Sequence, residues 1–130
     1  MQVSDYMSPA PVTIEPGADY KQAFTVMQEK NLHHLPVLDS SNAVVGIVAR
    51  RDLQVAAQHF HEAPVEVGEV MHTPVTTIVS SDSLASAVER MSDQGIGCLP
   101  VVDEGGQQLV GIITEIDMLR ALKDLLANQG

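Results

Sequence analysis

The chain repeats itself: one sequence unit of about 60 residues occurs twice, and this repeat limits the possible folds more than any other feature. An offset of 64 residues aligns similar segments along most of the unit: Val3 with Val67, Met7 with Met71, Thr13–Ile14 with Thr77–Ile78, and Leu35–Asp39 with Leu99–Asp103. One extra residue in the Gly-rich stretch Glu104–Gln107 then shifts the offset to 65, which aligns Asp52 with Asp117. We therefore predict two domains of one fold, repeat 1 at residues 1–62 and repeat 2 at residues 63–130.

Each repeat has the pattern of a short strand, a helix, two strands and a second helix. Apolar residues spaced for one helical face predict the first helix of each repeat: Tyr20, Ala23, Phe24 and Met27 in repeat 1, and Leu84, Ala87, Val88 and Met91 in repeat 2. Two apolar runs separated by turn residues predict a β-hairpin in each repeat, with strands at His34–Leu38, Ala43–Val48, Cys98–Val102 and Leu109–Ile113. The second helix is clearest in repeat 2, where the apolar stripe consists of Met118, Leu119, Leu122, Leu125 and Leu126.

A βαββα unit of this size, with one sheet and two helices, buries too little apolar surface to be stable alone. We therefore expect an α/β (α+β) fold in which the two units pack sheet to sheet with pseudo-two-fold symmetry, joined by a linker at residues 60–67. We also expect a homodimer, because the first and last helices carry apolar stripes that a pair this small cannot cover internally.

The composition argues against several functional classes. Seventeen acidic residues against seven Lys and Arg give a formal net charge of -10, which disfavours nucleic-acid binding. The single cysteine, Cys98, excludes an intrachain disulfide and a cysteine-rich zinc site, as in proteins of a reducing compartment. No apolar run approaches the length of a membrane span, and Met1–Asp5 lacks signal-peptide character, so we predict a cytoplasmic protein that makes no membrane contact.

Several short motifs occur in the same order in both repeats. Repeat 1 has Met7, Val12–Ile14, His34–Asp39, Gly46–Val48 and Asp52, and repeat 2 has Ile96–Asp103 followed by Gly111–Asp117. In this order they resemble the CBS domain, and together the repeats resemble a CBS pair, or Bateman module, over essentially the whole chain. The resemblance implies a regulatory, non-catalytic protein whose clefts between the repeats bind AMP, ADP, ATP or S-adenosylmethionine. It also implies disc-like dimers.

The start of the last helix has the chemistry of a nucleotide site. Thr114–Asp117 lies where a strand gives way to a helix, and free backbone N–H groups and the helix dipole favour a phosphate there. Asp117 can accept hydrogen bonds from both ribose hydroxyls, which is the role that the resemblance gives it. The alternative is a capping box of Thr114 and Asp117 that needs no ligand. Asp52 occupies the matching position in Ala49–Asp52 without the hydroxyl, so a reciprocal cap does not account for it.

By resemblance, each cleft combines the helix-start aspartate of one repeat with the first strand of the other repeat and the residues around its Leu-Pro. Cleft A consists of Val12, Thr13, Ile14, Leu32, His33, His34, Pro36, Thr114 and Asp117. Cleft B consists of Arg50, Arg51, Asp52, Thr76, Thr77, Ile78, Ile96, Gly97, Cys98 and Pro100. The adenine ring would lie against the aliphatic residues while backbone groups bind its edge.

The two clefts differ in charge. Arg50 and Arg51 in cleft B suit a di- or triphosphate, and the alternative is that they form ordinary salt bridges with the abundant carboxylates. Cleft A has the complete Thr-x-x-Asp motif, and His33 and His34 there either contact phosphate or partly block the pocket. We therefore expect cleft B to prefer ATP or ADP and cleft A to accept AMP or an uncharged adenosyl group.

The sequence predicts neither a catalytic site nor a metal site. The five histidines, among them His59, His61 and His72, lack the spacing of a ligand set and are better explained as solvated side chains. No serine has a His and an Asp that the sequence can place beside it, and no catalytic cofactor is expected. The competing function is a ligand-free dimerisation module whose aspartates only start helices. The sequence does not identify a regulated partner.

Overall fold

The computed structural model describes residues 1–60 and 63–129, and these residues form an α/β fold of repeated strands and helices. After a 3-10 turn at Val3–Asp5, the elements in chain order are β1 (Ser8–Pro9), α1 (Tyr20–Lys30), β2 (His34–Leu38), β3 (Val44–Ala49), α2 (Arg50–Phe60), α3 (Val67–Val70), β4 (Ile78–Val79), α4 (Leu84–Gln94), β5 (Cys98–Val102), β6 (Leu109–Thr114) and α5 (Glu115–Gln129). The predicted order of helix, hairpin and helix is confirmed in both repeats. The predicted first strand is β4 in repeat 2, whereas in repeat 1 Ile14 forms only a single parallel bridge with Val37.

The first helix of each repeat begins and ends at residues suited to those positions. Asp19 caps α1 by accepting a hydrogen bond from the backbone N–H two residues on (2.7 Å), and Ser83 caps α4 by accepting one from the N–H three residues on (3.1 Å). Both helices end at a residue in the left-handed conformation, Asn31 after α1 and Gly95 after α4. Local sequence signals therefore account for the length of both helices.

The apolar faces of α1 and α4 are buried largely as predicted. The buried residues are Tyr20, Ala23 and Met27 in α1 and Leu84, Ala87 and Met91 in α4. Phe24 is half-buried and packs at the margin of its core. The assignment of Val88 to the buried face is wrong, because its side chain is 46% exposed. The buried stripe of α4 is therefore narrower than its apolar pattern.

The predicted hairpins are confirmed, since β2 pairs antiparallel with β3 and β5 pairs antiparallel with β6. An aspartate closes each turn: Asp39 accepts hydrogen bonds from two backbone N–H groups of its turn (2.8 and 3.0 Å), and Asp103 does the same (3.0 and 3.2 Å). These N–H donors, first among them that of Gln107, hold the pKa of Asp103 below its usual value. The turn that carries the extra residue of repeat 2 thus keeps the same closing contact.

The chain forms two compact units whose bounds differ from those of the sequence repeats. The N unit is Val12–Val75, and the C unit combines Met1–Pro11 with Thr76–Gly130. The N unit contains the two-stranded sheet β2-β3, and the C unit contains a four-stranded sheet in the order β1-β6-β5-β4. The repeat boundary predicted between residues 62 and 63 involves residue 62, which lies outside the described residues, and it stays a prediction.

The exchange of leading segments explains why the units differ from the repeats. Val3, from the start of repeat 1, is fully buried in the core of the C unit, and its N–H donates to the carbonyl of Asp82 (2.9 Å). Val67, from the start of repeat 2, is fully buried in the core of the N unit, and its N–H donates to the carbonyl of Ala18 (2.8 Å). Each leading valine therefore fills a core built mainly by the other repeat.

Gly46 and Gly111 occupy equivalent positions in the two sheets, and each allows another segment of the chain to pack closely against its strand. A Cβ at Gly111 would lie 2.9 Å from the carbonyl oxygen of Ser8 in β1 and would also overlap the side chain of Met7. A Cβ at Gly46 would overlap the side chain of Met71, which is the equivalent methionine of repeat 2. The Val-Gly-Ile motif of both repeats thus reflects packing against the exchanged segment. Within the described ranges, no helix has both the length and the apolar character needed to cross a membrane.

Candidate functional site

The two predicted ribose-binding aspartates both hold the start of a helix. The Oδ2 atom of Asp117 accepts hydrogen bonds from the backbone N–H of Thr114 (2.9 Å) and from its hydroxyl (3.2 Å). The Oδ2 atom of Asp52 accepts one from the backbone N–H of Ala49 (2.9 Å). The contact at Asp52 is one-sided, since Ala49 has no side chain that could accept a hydrogen bond in return, so a reciprocal cap does not form there. A backbone donor suffices for this one-sided cap, which the sequence analysis did not consider.

The second oxygen of each aspartate also has a partner within its own unit. The Oδ1 atom of Asp117 accepts from the guanidinium of Arg120 (2.6 Å), and that of Asp52 lies 2.9 Å from Nε2 of His72. The Asp117 side chain is only 7% exposed, whereas that of Asp52 is 21% exposed and its partner His72 is 68% exposed. A carboxylate oxygen can accept two hydrogen bonds, so Asp52 keeps more accessible accepting capacity than Asp117.

Arg50 connects the start of α2 to the end of α1. Its backbone N–H donates to the carbonyl of His33 (2.8 Å), and its guanidinium donates to the carbonyl of Met27 (3.0 Å). Its Nε atom is buried and has no hydrogen-bond partner among the described residues. The structure therefore places Arg50 beside His33 in the N unit and gives it a structural contact.

Arg51 differs from its neighbour. Its side chain is exposed, and within residues 1–60 and 63–129 it makes no hydrogen bond or ion pair. The alternative in which both arginines form salt bridges with carboxylates is therefore wrong for the described part of the chain. Of the two arginines, Arg51 alone has a guanidinium that is exposed and makes no contact with the described residues.

The C unit has an equivalent backbone hydrogen bond at the start of α5, but the residue that makes it is acidic rather than basic. The backbone N–H of Glu115 donates to the carbonyl of Gly97 (3.1 Å), as Arg50 does to His33. The Glu115 carboxylate lies over this glycine, with Oε1 at 3.2 Å from the position that a Cβ of Gly97 would take. The helix start of the N unit thus carries arginines, and that of the C unit carries a glutamate.

The segments predicted to bind the adenine ring lie beside the hairpins. Ile14 is buried, and its N–H and carbonyl bond to Pro36 (3.1 Å) and Leu38 (3.0 Å) on either side of Val37 in β2. Ile78 in β4 occupies the matching place along β5 in the C unit. Thr13, which precedes Ile14, is exposed. Its equivalent Thr77 accepts a hydrogen bond from Arg90 through its carbonyl (2.8 Å), and the hydroxyl of Thr76 donates to Gln94 (2.7 Å).

Each unit brings together some predicted residues of both clefts. The N unit holds Val12, Thr13, Ile14, Leu32, His33, His34, Pro36, Arg50, Arg51 and Asp52, and the C unit holds Thr76, Thr77, Ile78, Ile96, Gly97, Cys98, Pro100, Thr114 and Asp117. Clefts A and B each draw residues from both units and stay predictions. Pro36, Pro100 and Cys98 are buried, whereas His33 is exposed and His34 is half-buried.

Two surface grooves of the N unit were not anticipated from the sequence. One, of about 400 Å³, is lined by Thr13, Ile14, Glu15–Gly17, Leu38–Ser40 and Asn42. The other, of about 260 Å³, is lined by Asp52, Val55, Ala56, His59 and Val70. Their walls come from segments distant in sequence, so no local motif could have indicated them.

The remaining candidate residues from the sequence are Cys98 and the histidines. Cys98 is buried, and burial raises the pKa of its thiol to about 12. The described residues contain no group of three or more His, Cys, Asp or Glu arranged to hold a metal ion. His59 is exposed, and His61 lies outside the described residues.

Solved structures of similar fold include complexes with adenosyl compounds. The Vibrio cholerae protein AcuB, named for acetoin utilization, is 34% identical, with a TM-score of 0.84 over 99% of this chain and 95% of its own. The CBS domain pair of protein MJ0100, solved with 5′-methylthioadenosine and S-adenosyl-L-methionine, is 27% identical, with a TM-score of 0.86 over 95% of this chain and 97% of its own. CBSX2, solved with AMP, is 26% identical, with a TM-score of 0.79 over 95% of this chain and 97% of its own.

The sequence comparisons extend over both repeats. The homoserine O-acetyltransferase of Methanosphaera stadtmanae is 31% identical over 113 residues, which make up 87% of this chain and 22% of that enzyme. The chain thus spans less than a quarter of that relative. The family model of the CBS domain matches residues 3–58 and again residues 67–124. With both repeats matched, the chain belongs to the CBS domain family and contains two copies of the domain.

Proposed function

We propose that this chain is a regulatory, non-catalytic module that binds an adenosine-containing ligand of the class AMP, ADP, ATP or S-adenosylmethionine through the residues assigned to clefts A and B. The observation that carries this proposal is the helix-start aspartate, which occurs twice with the same backbone contact. The complexes of MJ0100 and CBSX2 support the ligand class. The acetyltransferase relative is far longer than the shared segment, which supports a regulatory role for that segment.

We infer that Asp52 is the more accessible ribose acceptor. A ribose diol donates two hydrogen bonds, and a carboxylate oxygen with a free lone pair can accept one without losing its existing partner. Asp52 is more exposed than Asp117, and its second partner is an exposed imidazole rather than an arginine held by two contacts. The hydroxyl of Thr114 already donates to Asp117, which leaves this carboxylate less able to accept hydrogen bonds from a ribose than Asp52 is.

Arg51 is the best candidate for a phosphate contact. It lies in the first turn of α2, where backbone N–H groups and the helix dipole favour an anion, and it has no described partner to give up. Arg50 already donates to the Met27 carbonyl, and its Nε atom is buried, so its guanidinium is less accessible to a phosphate. We therefore assign any preference for ADP or ATP over adenosine to Arg51 rather than to the arginine pair.

Titration calorimetry with AMP, ADP, ATP and S-adenosylmethionine tests the proposal. We expect at least one ligand to bind, and we expect Asp52→Asn to weaken its affinity roughly tenfold to hundredfold, as for loss of a hydrogen bond to a charged group. The asparagine oxygen can still accept from the N–H of Ala49, so the start of α2 is preserved. Bound ligand at 100 times its dissociation constant should add about 2.7 kcal/mol to the free energy of unfolding.

The matched control is Asp103→Asn, which changes a carboxylate that closes the β5–β6 turn. Its ligand affinity should equal that of the unmodified protein. Absence of binding by all four ligands at millimolar concentration would contradict the proposed function. Binding that is unchanged in both Asp52→Asn and Asp117→Asn would contradict the ribose assignment alone.

The second candidate function is a ligand-free module for association. It is favoured by one specific observation: both oxygens of Asp52 and of Asp117 already have partners in the chain. In that case Asp52→Ala should lower the free energy of unfolding by about 1 kcal/mol, as for loss of a helix cap, and no adenosyl compound should raise the melting temperature.

A further inference from the structure

The smaller surface groove of the N unit lies between α2 and α3, and we name it the α2–α3 groove. Its volume is about 260 Å³, and its lining residues are Asp52, Val55, Ala56 and His59 of α2 and Val70 of α3. The three aliphatic residues form its apolar walls. Asp52 lies in the first turn of α2 and the exposed His59 lies about 10 Å further along the helix axis. The groove thus combines an apolar floor with a carboxylate near one end and an imidazole near the other.

The repeat supplies an internal comparison for this groove. At the offsets of 65 and 64, its lining residues correspond to Asp117, Arg120, Ala121 and Asp124 of α5 and to Tyr6. The segments that contain Tyr6 and Val70 fold alike, because the N–H of Met7 donates to the carbonyl four residues before it (3.0 Å) and that of Met71 does the same (2.9 Å). The same five positions of one fold therefore carry different side chains in the two units.

In the C unit, the chain's own side chains make polar contacts at these positions. The guanidinium of Arg120 donates both to Oδ1 of Asp117 (2.6 Å) and to the carbonyl of Tyr6 (3.0 Å). The hydroxyl of Tyr6 donates to Asp124. A guanidinium thus connects the helix-start aspartate to the leading segment, and a phenol occupies the far end of the same space.

In the N unit, two valines replace the arginine and the tyrosine. Val55 stands at the position of Arg120 and Val70 at that of Tyr6, and these shorter side chains leave the groove open. The two groups that accept from the guanidinium in the C unit have equivalents here, namely the Asp52 carboxylate and the carbonyl of Val70. The α2–α3 groove therefore retains the acceptors of a guanidinium but has no guanidinium of its own.

The contacts of Asp52 leave it able to bind a cation. Among the described residues it accepts from two donors, the N–H of Ala49 and the imidazole of His72, and it pairs with no lysine or arginine. Asp117 accepts from three donors, one of them the guanidinium. A carboxylate has about four acceptor sites, so Asp52 has capacity for a further donor. A permanent positive charge is the partner that Asp117 has and Asp52 lacks.

We propose that the α2–α3 groove binds a small guanidinium compound with an aliphatic stem, such as free arginine. The guanidinium pairs with the Asp52 carboxylate and the Val70 carbonyl, since its planar fork of donors suits two acceptors at once. The stem lies on Val55 and Ala56, and an α-carboxylate at its end faces His59. The groove is smaller than pockets for drug-sized ligands, which are about 300–1,000 Å³, and this suits a ligand as small as an amino acid.

This site goes beyond the proposed adenosyl function and does not rest on it. The two sites share Asp52, but the other four lining residues of the groove belong to neither cleft A nor cleft B. Failure of adenosyl ligands to bind would leave the groove proposal standing, and failure of arginine to bind would leave the adenosyl proposal standing.

A nuclear magnetic resonance titration of the nitrogen-15-labelled protein with L-arginine provides the first test. We expect saturable shifts of the backbone amides of residues 52–59 and 67–70. Residues 117–124 should not respond in this way, because Arg120 already pairs with the equivalent acceptors there. L-Citrulline has a neutral urea group in place of the guanidinium and should bind at least about tenfold more weakly. Absence of saturable shifts at tens of millimolar arginine, or equal binding of citrulline, would overturn the proposal.

A variant that carries the arginine of the C unit provides the second test. Val55→Arg places a guanidinium of the chain in the groove, so it should abolish arginine binding. The matched control is Val88→Arg on α4, which adds the same charge at a valine of equal exposure, 46%, and should bind arginine as the unmodified protein does. Arginine binding that survives Val55→Arg, or that is lost equally in Val88→Arg, would show that the ligand does not occupy the groove.

Asp52→Asn tests the acceptor without filling the groove. The asparagine oxygen can still accept from the N–H of Ala49, so the start of α2 is kept. We expect its affinity for arginine to fall about tenfold or more, as for loss of a hydrogen bond between charged groups. This variant also supplies an independent test if Val55→Arg does not fold, which the spread of its amide signals would reveal. Unchanged affinity in Asp52→Asn would contradict the assignment of the guanidinium to this carboxylate.

Discussion

Asp52 and Arg50 show how one residue can serve both local structure and a candidate site. The sequence places Asp52 at a helix start, where capping and ribose binding require the same carboxylate. Contacts with His72 and with the Met27 carbonyl come from residues far away in sequence, and they decide how much of each side chain is left for a ligand. Residue type therefore indicates the possible chemistry, and the tertiary neighbours decide its availability.

Cys98 gives a prediction at the scale of one residue. Its pKa rises from 9.0 to about 12 because the thiol is buried, so the folded protein favours the protonated form. The stabilising contribution is fully present below about pH 9 and is lost as the pH rises toward 12. Between pH 7.5 and 10.5 the free energy of unfolding should fall by about 2 kcal/mol more in the unmodified protein than in Cys98→Ala. Urea unfolding at both pH values measures this, and an equal fall in both proteins would contradict it.

At the scale of elements, the β5–β6 hairpin offers a matched pair of glycines. Gly111 faces the backbone of β1, and a Cβ there would be 2.9 Å from the Ser8 carbonyl oxygen. Gly111→Ala should therefore lower the free energy of unfolding by about 1–3 kcal/mol, as overpacking does. The control Gly105→Ala lies in the turn, where the nearest atom is 3.8 Å away. Equal stability of the two variants in urea unfolding would show that β1 does not pack on β6 in solution.

At the scale of the whole molecule, the start of repeat 1 is part of the C unit. Val3 is fully buried among Ile78, Leu99 and Ile113, although it is about 75 residues or more distant from them in sequence. Val3→Ala should lower the free energy of unfolding by about 2 kcal/mol and should speed hydrogen exchange in β5 and β6. The control Val55→Ala changes a 46% exposed valine and should have little effect. Exchange that accelerates only in β2 and β3 would contradict the assignment of Val3 to the C unit.

The sequence by itself determined the duplication, the order of helix, hairpin and helix, and the position of an aspartate at each helix start. Helices and strands repeat their apolar residues with fixed periods, and caps and turns depend on neighbouring residues, so these features can be read locally. Apolar spacing did not predict correctly which residues of a helix are buried. Val88 fits the buried face of α4 by spacing yet is exposed, since spacing does not tell how wide the covering surface is.

Only the tertiary structure decided the exchange of the segments that begin with Val3 and Val67, the contact of Arg50 with α1, and the exposure of the large apolar side chains along α5. Each of these depends on residues that are distant in sequence, and periodicity holds no information about such pairs. The hydrophobic effect is not directional, and Val3 and Val67 gain about the same free energy when they are buried in either core. Residue type alone therefore does not predict which valine fills which core. The geometry of the folded chain selects one arrangement, because close packing allows a side chain only where its neighbours leave room.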